Sequence, residues 1–222
     1  MKHLIVPLLP DSGRFRIDAD GSHHLLHVLR MERQGHLQVS DGQGRKGMVR
    51  LVDVRGGIAE LEVETTEEVP PPLERVVLLG IPKGPLLEEA LTLGTEAGAT
   101  GYRLIQARYS QTGATRTERL ERVLRVACTQ CHRSHLPRLA GPMRLEEALL
   151  SLPALRWVGV HGAAAPPAAA TAAALAIGPE GGWSPEEYAV LHEHHFLPAG
   201  LGPFVLRNPT AVAVGLGRLF PG

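Results

Sequence analysis

The segment Ile177-Gly178-Pro179-Glu180-Gly181-Gly182 lies between an apolar run and a helix start, and its residue types suit a loop that cradles a ligand. Glycines let backbone groups approach a ligand with no Cβ in the way, and Pro179 stiffens the turn. The spacing is neither G-x-G-x-x-G nor that of a P-loop, so a dinucleotide or a nucleoside triphosphate is not indicated. By residue type alone, a ligand loop and a plain tight turn remain equally open. A second glycine loop, Gly200-Leu201-Gly202-Pro203-Phe204, runs through Val205-Leu206-Arg207 into Asn208-Pro209-Thr210-Ala211. Asn208 at the N-cap and Pro209 at the first helical position predict a helix start there. Free N–H groups at such a start favour a polar or anionic group, and Arg207 stands beside them. The plainer reading is that Asn208 only caps and Arg207 only meets solvent.

Two further groupings carry chemical potential. Residues 108–144 hold eight Arg (108, 116, 119, 122, 125, 133, 138 and 144) against two Glu (118 and 121), a net of +6. Phosphate contacts need such a surface, although an isolated basic helix is more simply a solvated one. Cys128-Thr129-Gln130-Cys131-His132, with His135 beyond it, has the spacing of a haem-attachment or zinc-ligand motif. No second cysteine pair accompanies it. Both cysteines also extend the apolar stripe of Leu124 and Ala127 at a spacing of four, so they read as small buried hydrophobes. His192, His194 and His195 read as the exposed end of a helix. No metal is expected.

The elements that must position these loops follow from patterning. Residues 58–65 alternate Ala59, Leu61 and Val63 with Glu60, Glu62 and Glu64, and 36–65 reads as antiparallel strands with turns at Asp41-Gly42 and Gly56-Gly57. Three prolines at 70–72 make a stiff linker and mark a domain boundary. Beyond it, 75–81 is a continuous apolar run, as for a strand buried on both faces. Helices are predicted near 85–97 and 117–132, with strands near 102–107, 155–160 and 172–177. Ser184-Pro185-Glu186-Glu187 predicts a capped helix start. Strands alternating with helices imply an α/β domain with a mostly parallel sheet. Ten of the fourteen residues 163–176 are Ala.

The 222 residues carry 23 basic and 23 acidic side chains and are 44% hydrophobic, enough for a core. Zero net charge excludes a histone-like protein and an acidic tail. It is a sum over unlike parts: −2 over 1–72, +6 over 108–144 and −4 over the rest. Pro7 and Pro10 interrupt the amino-terminal apolar stretch, no cleavage site follows it, and no other stretch could span a membrane, so a soluble cytoplasmic protein is expected.

Together the segments resemble the RsmE family, bacterial SPOUT-class methyltransferases acting on N3 of uracil in 16S ribosomal RNA. The resemblance covers nearly the whole chain. It is carried by IGPEGG at 177–182, LGPFVLR at 201–207 with Thr210-Ala211, and QCHRSHLP at 130–137. HHLLHVLRM at 23–31 with Asp41-Gly42, and Lys83-Gly84 with Glu96 and Gly98, add to it. The resemblance implies a small PUA-like RNA-binding β-barrel over 1–69 and an α/β SPOUT domain over 73–222. Within the latter, a deep trefoil knot and the S-adenosylmethionine site would fall in about 155–222. It also implies a homodimer whose partner is 16S rRNA or the assembled small ribosomal subunit.

The implied cofactor contacts fall in three loops. The first holds Val160, His161 and Gly162. The second holds Ile177, Gly178, Pro179, Gly181 and Gly182. The third holds Gly200, Leu201, Gly202, Phe204, Leu206, Asn208, Thr210 and Ala211. RNA contact is expected at His24, Arg30, Arg108, Arg116 and Arg133. Catalysis is expected from Arg207 and Glu180. Uracil N3 carries a proton and is a poor nucleophile, so the enzyme must remove that proton or stabilise the anion. Arg207 suits charge on the uracil oxygens, and Glu180 is either a base or a loop orienter. The base would be flipped out, because N3 lies on the pairing edge.

The chain departs from the family at three places. Pro209 stands where the family has Glu, with Asn208 in the Thr position. Thr129 replaces a Glu, and Gln111-Thr112 replaces a Glu-Arg pair. Losing the carboxylate at 209 leaves two alternatives: a SPOUT methyltransferase acting on another RNA position or a ribose oxygen, and a non-catalytic RNA-binding module.

Overall fold

Alternating apolar and polar residues, punctuated by glycine turns, place five strands in one sheet. These are β1 (His3–Ile5), β2 (Gly13–Arg16), β3 (His36–Ser40), β4 (Arg45–Arg55) and β5 (Ile58–Glu68). Their order is β1-β3-β4-β5-β2. β1 runs parallel to β3 and the other pairs are antiparallel. The computed structural model describes residues 2–111, 116–169 and 171–220. Thr112 lies outside the described residues.

The alternation in β5 behaves as its pattern requires. Ala59 and Leu61 are fully buried, with Leu37, Val39, Val49 and Leu51. The intervening carboxylates meet side chains of neighbouring strands: Glu60 with Arg16 at 3.5 Å, Glu62 with Arg14 at 3.1 Å, and Glu64 with the His36 imidazole at 3.0 Å. A short helix, α1 (Ala19–His23), passes into a π-helical turn at His24–Val28. Ser22 ties α1 to β5, because its buried hydroxyl accepts from the Ala59 N–H at 3.0 Å. Residues Met1–Pro72 form this first unit together with Cys128–Leu136.

The second unit, Leu73–Ala127 with Pro137–Gly222, is built on a six-stranded parallel sheet. Its strands are β6 (Arg75–Gly80), β7 (Gly101–Ile105), β8 (Arg138–Met143), β9 (Leu155–Gly159), β10 (Ala173–Ile177) and β11 (Leu197–Ala199). Their order is β11-β9-β10-β6-β7-β8. The helices are α2 (Leu86–Glu96), α3 (Thr117–Gln130), α4 (Leu145–Ala148), α5 (Pro185–Glu193) and α6 (Asn208–Leu219).

Successive residues of the central strands serve opposite faces. Val77, Leu79, Leu175 and Ile177 pack with α2 and α6, whereas Val76, Leu78, Ala174 and Ala176 pack with α4 and α5. That is why these strands read as continuous apolar runs. Edge strands β8 and β11 carry no such run and escape pattern reading. Among the described residues, no helix is long and apolar enough to cross a membrane.

His3 is a buried ionisable group of the first unit. Its Nδ1 lies 3.2 Å from the Thr129 carbonyl and its Nε2 3.1 Å from Ser40 Oγ. A carbonyl only accepts, so Nδ1 carries the proton and Nε2 accepts from the hydroxyl. Burial pushes this imidazole below its ordinary value of 6.5, the Thr129 bond opposes the shift, and His132 adds to the depression. The unfolded chain therefore binds a proton that the folded one resists. The stability from His3 is complete above pH 6.5 and is lost as pH falls below it. Urea titrations should show a smaller fall in stability on acidification for His3→Gln than for the parent protein; identical falls would refute the assignment.

Candidate functional site

Three loops leave the carboxyl ends of the adjacent strands β9, β10 and β11 and enclose a pocket of about 530 Å³. Ligands of parallel α/β sheets bind at this end, and the volume suits a nucleoside-sized molecule. Gly159, Val160 and His161 come from the first loop. Ile177, Gly178, Pro179, Glu180, Gly182 and Trp183 come from the second. Leu201, Gly202 and the stretch 204–208 come from the third. Tyr188 on α5 and Ala211 on α6 complete the wall.

Glycine is required where these loops meet. A Cβ at Gly200 would lie 1.9 Å from the Ala163 carbonyl oxygen, and one at Gly178 would lie 2.9 Å from the Gly182 carbonyl carbon. At Gly80, the end of β6, a Cβ would meet Pro179 Cδ at 2.4 Å. Larger residues would push the loops apart. Polar ties hold them in place. Glu180 Oε1 accepts from the Lys83 N–H at 2.9 Å, and Gly200 N–H donates to the Ala164 carbonyl at 2.8 Å. The capping box of α5 is present: Ser184 Oγ accepts from Glu187 N–H at 3.2 Å, and Glu187 Oε2 accepts from Ser184 N–H at 2.8 Å. Glu187 Oε1 also accepts from the Arg108 N–H at 2.7 Å, which joins this helix start to the loop after β7.

The start of α6 differs from the pattern-based expectation. Arg207, not Asn208, holds the N-cap, with extended backbone (φ −64°, ψ 151°), and Pro209 follows one position later than expected. Asn208 does not cap because its amide turns the other way, donating from Nδ2 to the Gly178 carbonyl at 2.7 Å. Its Oδ1 is buried without a partner, as is Trp183 Nε1. Both atoms are shut off from solvent. Arg207 is exposed at its rim, with no ion pair among the described residues. His161 Nε2 lies 3.4 Å from the Pro203 carbonyl, bridging the first and third loops.

Most residues expected at the site line it. Gly162, Gly181, Gly200 and Thr210 do not. Gly162 takes φ +81° in a turn, Gly181 packs on Tyr109, Gly200 packs on Ala163, and Thr210 is exposed on α6. Gly159, Trp183 and Tyr188 line the pocket and lie outside the expected stretches. An aromatic directly after the glycine loop was the available signal for Trp183.

The residues expected to meet RNA fall in both units. His24 is half-buried in the π-helical turn, Arg30 is exposed at φ 47°, and Arg133 is half-buried. Arg108 and Arg116 are exposed in the second unit. Cys128 is fully buried and Cys131 half-buried. Among the described residues, no group of three or more His, Cys, Asp or Glu is placed to hold a metal ion.

Comparison with known proteins agrees with this architecture. Residues 69–219 match the RNA methyltransferase domain family. A Mycobacterium bovis protein named ribosomal RNA small subunit methyltransferase E is 34% identical, covering 96% of this chain and 89% of the relative. A Synechocystis protein of the same name is 29% identical, covering 89% and 69%. A Legionella pneumophila methyltransferase, solved with the bound cofactor S-adenosylmethionine, aligns with a TM-score of 0.88 at 25% identity, covering 98% of this chain and 96% of that one. The chain belongs to the RNA methyltransferase family, among the ribosomal RNA small subunit methyltransferase E proteins.

The glycine contacts yield a paired prediction. Gly200→Ala should destabilise the protein by about 1–3 kcal/mol in denaturant titrations, because backbone must shift. Gly202→Ala, with nothing within 4 Å of its Cβ, should be close to neutral. Equal effects would contradict the crowding described at Gly200.

Proposed function

We propose that this protein uses S-adenosylmethionine to methylate N3 of a specific uridine in the 16S rRNA of the small ribosomal subunit, in the cytoplasm and as a homodimer. The first unit would be a PUA-like barrel that holds RNA, and the second a SPOUT domain with a trefoil knot near the pocket. The observation that carries this reading is the pocket itself. Three glycine-bearing loops of a chain in this family converge at the carboxyl ends of β9, β10 and β11.

The residues present fit the cofactor. Ile177, Leu201, Leu206 and Ala211 offer apolar wall for a base, and Gly178, Gly182 and Gly202 let backbone approach it. When bound there, S-adenosylmethionine supplies an electrophilic methyl group on a sulfonium. The chain must then make uracil N3 nucleophilic. Arg207 donates to the uracil oxygens as negative charge develops when the N3 proton passes to water. Its guanidinium is always charged, so it stabilises an anion and does not act as the base. The N-cap position fixes its backbone, and the side chain is exposed at the pocket rim with no ion pair among the described residues.

Glu180 orients the loop, since one of its oxygens is committed to the Lys83 N–H. The exposed Arg side chains of 108–138 meet phosphates, so binding weakens with salt.

Labelled methyl groups should pass from S-adenosylmethionine to small-subunit RNA, offered naked and in assembled subunits. Mass spectrometry should map them to N3 of one uridine. Label on another base or on ribose would assign a different methyltransferase, and no transfer by folded protein would leave only an RNA-binding module. Arg207→Ala should lower transfer by on the order of 100-fold while calorimetric cofactor affinity stays near that of the parent. Parallel losses in both would contradict the anion-stabilising role.

A further inference from the structure

Methylation of uracil N3 releases a proton, and that proton needs an acceptor on its way to water. Four of the residues that line the pocket carry ionisable side chains: His161, Glu180, Tyr188 and Arg207. A guanidinium stays charged and cannot receive the proton. A phenol keeps its own at neutral pH. Glu180 has one oxygen committed to the Lys83 N–H at 2.9 Å, and a carboxylate that accepts such bonds is a poorer base. An imidazole is the side chain whose titration ordinarily falls near neutral pH, where a general base works best.

The geometry settles which nitrogen of His161 is free. Nε2 lies 3.4 Å from the Pro203 carbonyl oxygen. A carbonyl only accepts, so Nε2 carries the hydrogen of the neutral ring and Nδ1 keeps its lone pair. That lone pair has no partner among the described residues, and the side chain is exposed where it lines the pocket. The Pro203 bond also suits the charged ring. When Nδ1 gains a proton, the Nε2–H donor becomes cationic and its bond to the carbonyl strengthens. Pro203 and Arg207 belong to the same loop, so the ring is tied to the segment that carries the anion-stabilising guanidinium.

We propose that His161 is the general base of the reaction, its Nδ1 taking the proton from uracil N3 and passing it to water. This rests on the reading of the chain as a uracil-N3-methyltransferase. The N3–H bond breaks toward Nδ1, and its electron pair stays on N3. That pair forms the bond to the methyl carbon, and the pair of the broken S–C bond stays on sulfur. The uracil ends neutral and methylated, the sulfur ends as a neutral thioether, and the positive charge ends on the imidazolium. Arg207 steadies the uracil oxygens while the ring is anionic. Release of the imidazolium proton to water restores the base.

His161→Gln keeps a donor for the Pro203 carbonyl and removes the base. At saturating RNA and cofactor it should lower methyl transfer by about 100-fold or more, with calorimetric affinity for S-adenosylhomocysteine near that of the parent. The pH profile separates a base from a structural role. The parent rate should rise with pH and level off as the imidazole becomes neutral, whereas the variant rate should keep rising with hydroxide. Long-range proton–nitrogen NMR of the ligand-free protein should show the hydrogen of His161 on Nε2. A loss smaller than about threefold, a profile of unchanged shape, or a hydrogen on Nδ1 overturns the proposal. So does a loss of cofactor affinity that matches the loss of rate. If the parent protein transfers methyl groups to an atom other than uracil N3, or to none, the functional reading falls and this inference falls with it.

Discussion

At Gly200 the chain leaving β11 runs against the loop that follows β9, so closely that a Cβ there would sit 1.9 Å from the Ala163 carbonyl oxygen. The pocket depends on this passage. β11 and β9 are neighbours in a parallel sheet, so their following loops emerge side by side at the same end. Between a glycine and a carbonyl there is room for both loops to stay near the strand ends. The same device recurs where Pro179 crosses Gly80 and where Gly178 folds onto Gly182. The first and third loops meet at Gly200 with no side chain between their backbones, and the Asn208 amide ties the third loop to the second.

The helix carrying Arg207 and Asn208 is positioned by the same economy of size. A Cβ at Gly215 of α6 would meet Leu175 Cδ2 at 2.6 Å, and one at Gly94 of α2 would meet the Tyr102 hydroxyl at 2.5 Å and Val212 Cγ1 at 2.8 Å. The two helices therefore sit low on the sheet, with Val212, Leu216 and Leu219 fully buried. Tyr102, almost wholly buried, satisfies its hydroxyl by donating to the Leu91 carbonyl at 3.0 Å. This close seating sets where the α6 amino terminus falls, and so where Asn208 can reach Gly178.

Much of this arrangement was legible in the residues. The central strands β6 and β10 announced themselves as apolar runs, because both of their faces are covered. The capping box at Ser184 and the glycine loops at 177–182 and 200–202 marked where chain direction changes. Edge strands β8 and β11 were silent, since a strand exposed along much of its length needs no apolar run. The misplacement of the α6 cap has a specific cause. Asn208 has the local chemistry of an N-cap, but a tertiary partner, the Gly178 carbonyl, takes its amide instead. Tertiary partners of this kind have no periodicity. For the same reason pattern alone did not separate the glycines that line the pocket from Gly181 and Gly200, which are small only because backbone or a ring lies against them. The membership of Cys128–Leu136 in the first unit is equally hidden, because it rests on tertiary bonds, among them His3 with the Thr129 carbonyl and the Gly44 N–H with the Ser134 carbonyl.

The identity of the bound ligand and the role of the three loops stand or fall together, and amide hydrogen exchange with and without S-adenosylhomocysteine measures them most directly. Protection on binding should be confined to residues 159–162, 177–183 and 201–211, with the first unit unchanged. Protection elsewhere, or none at a saturating ligand concentration, would contradict the assignment of this pocket as the cofactor site.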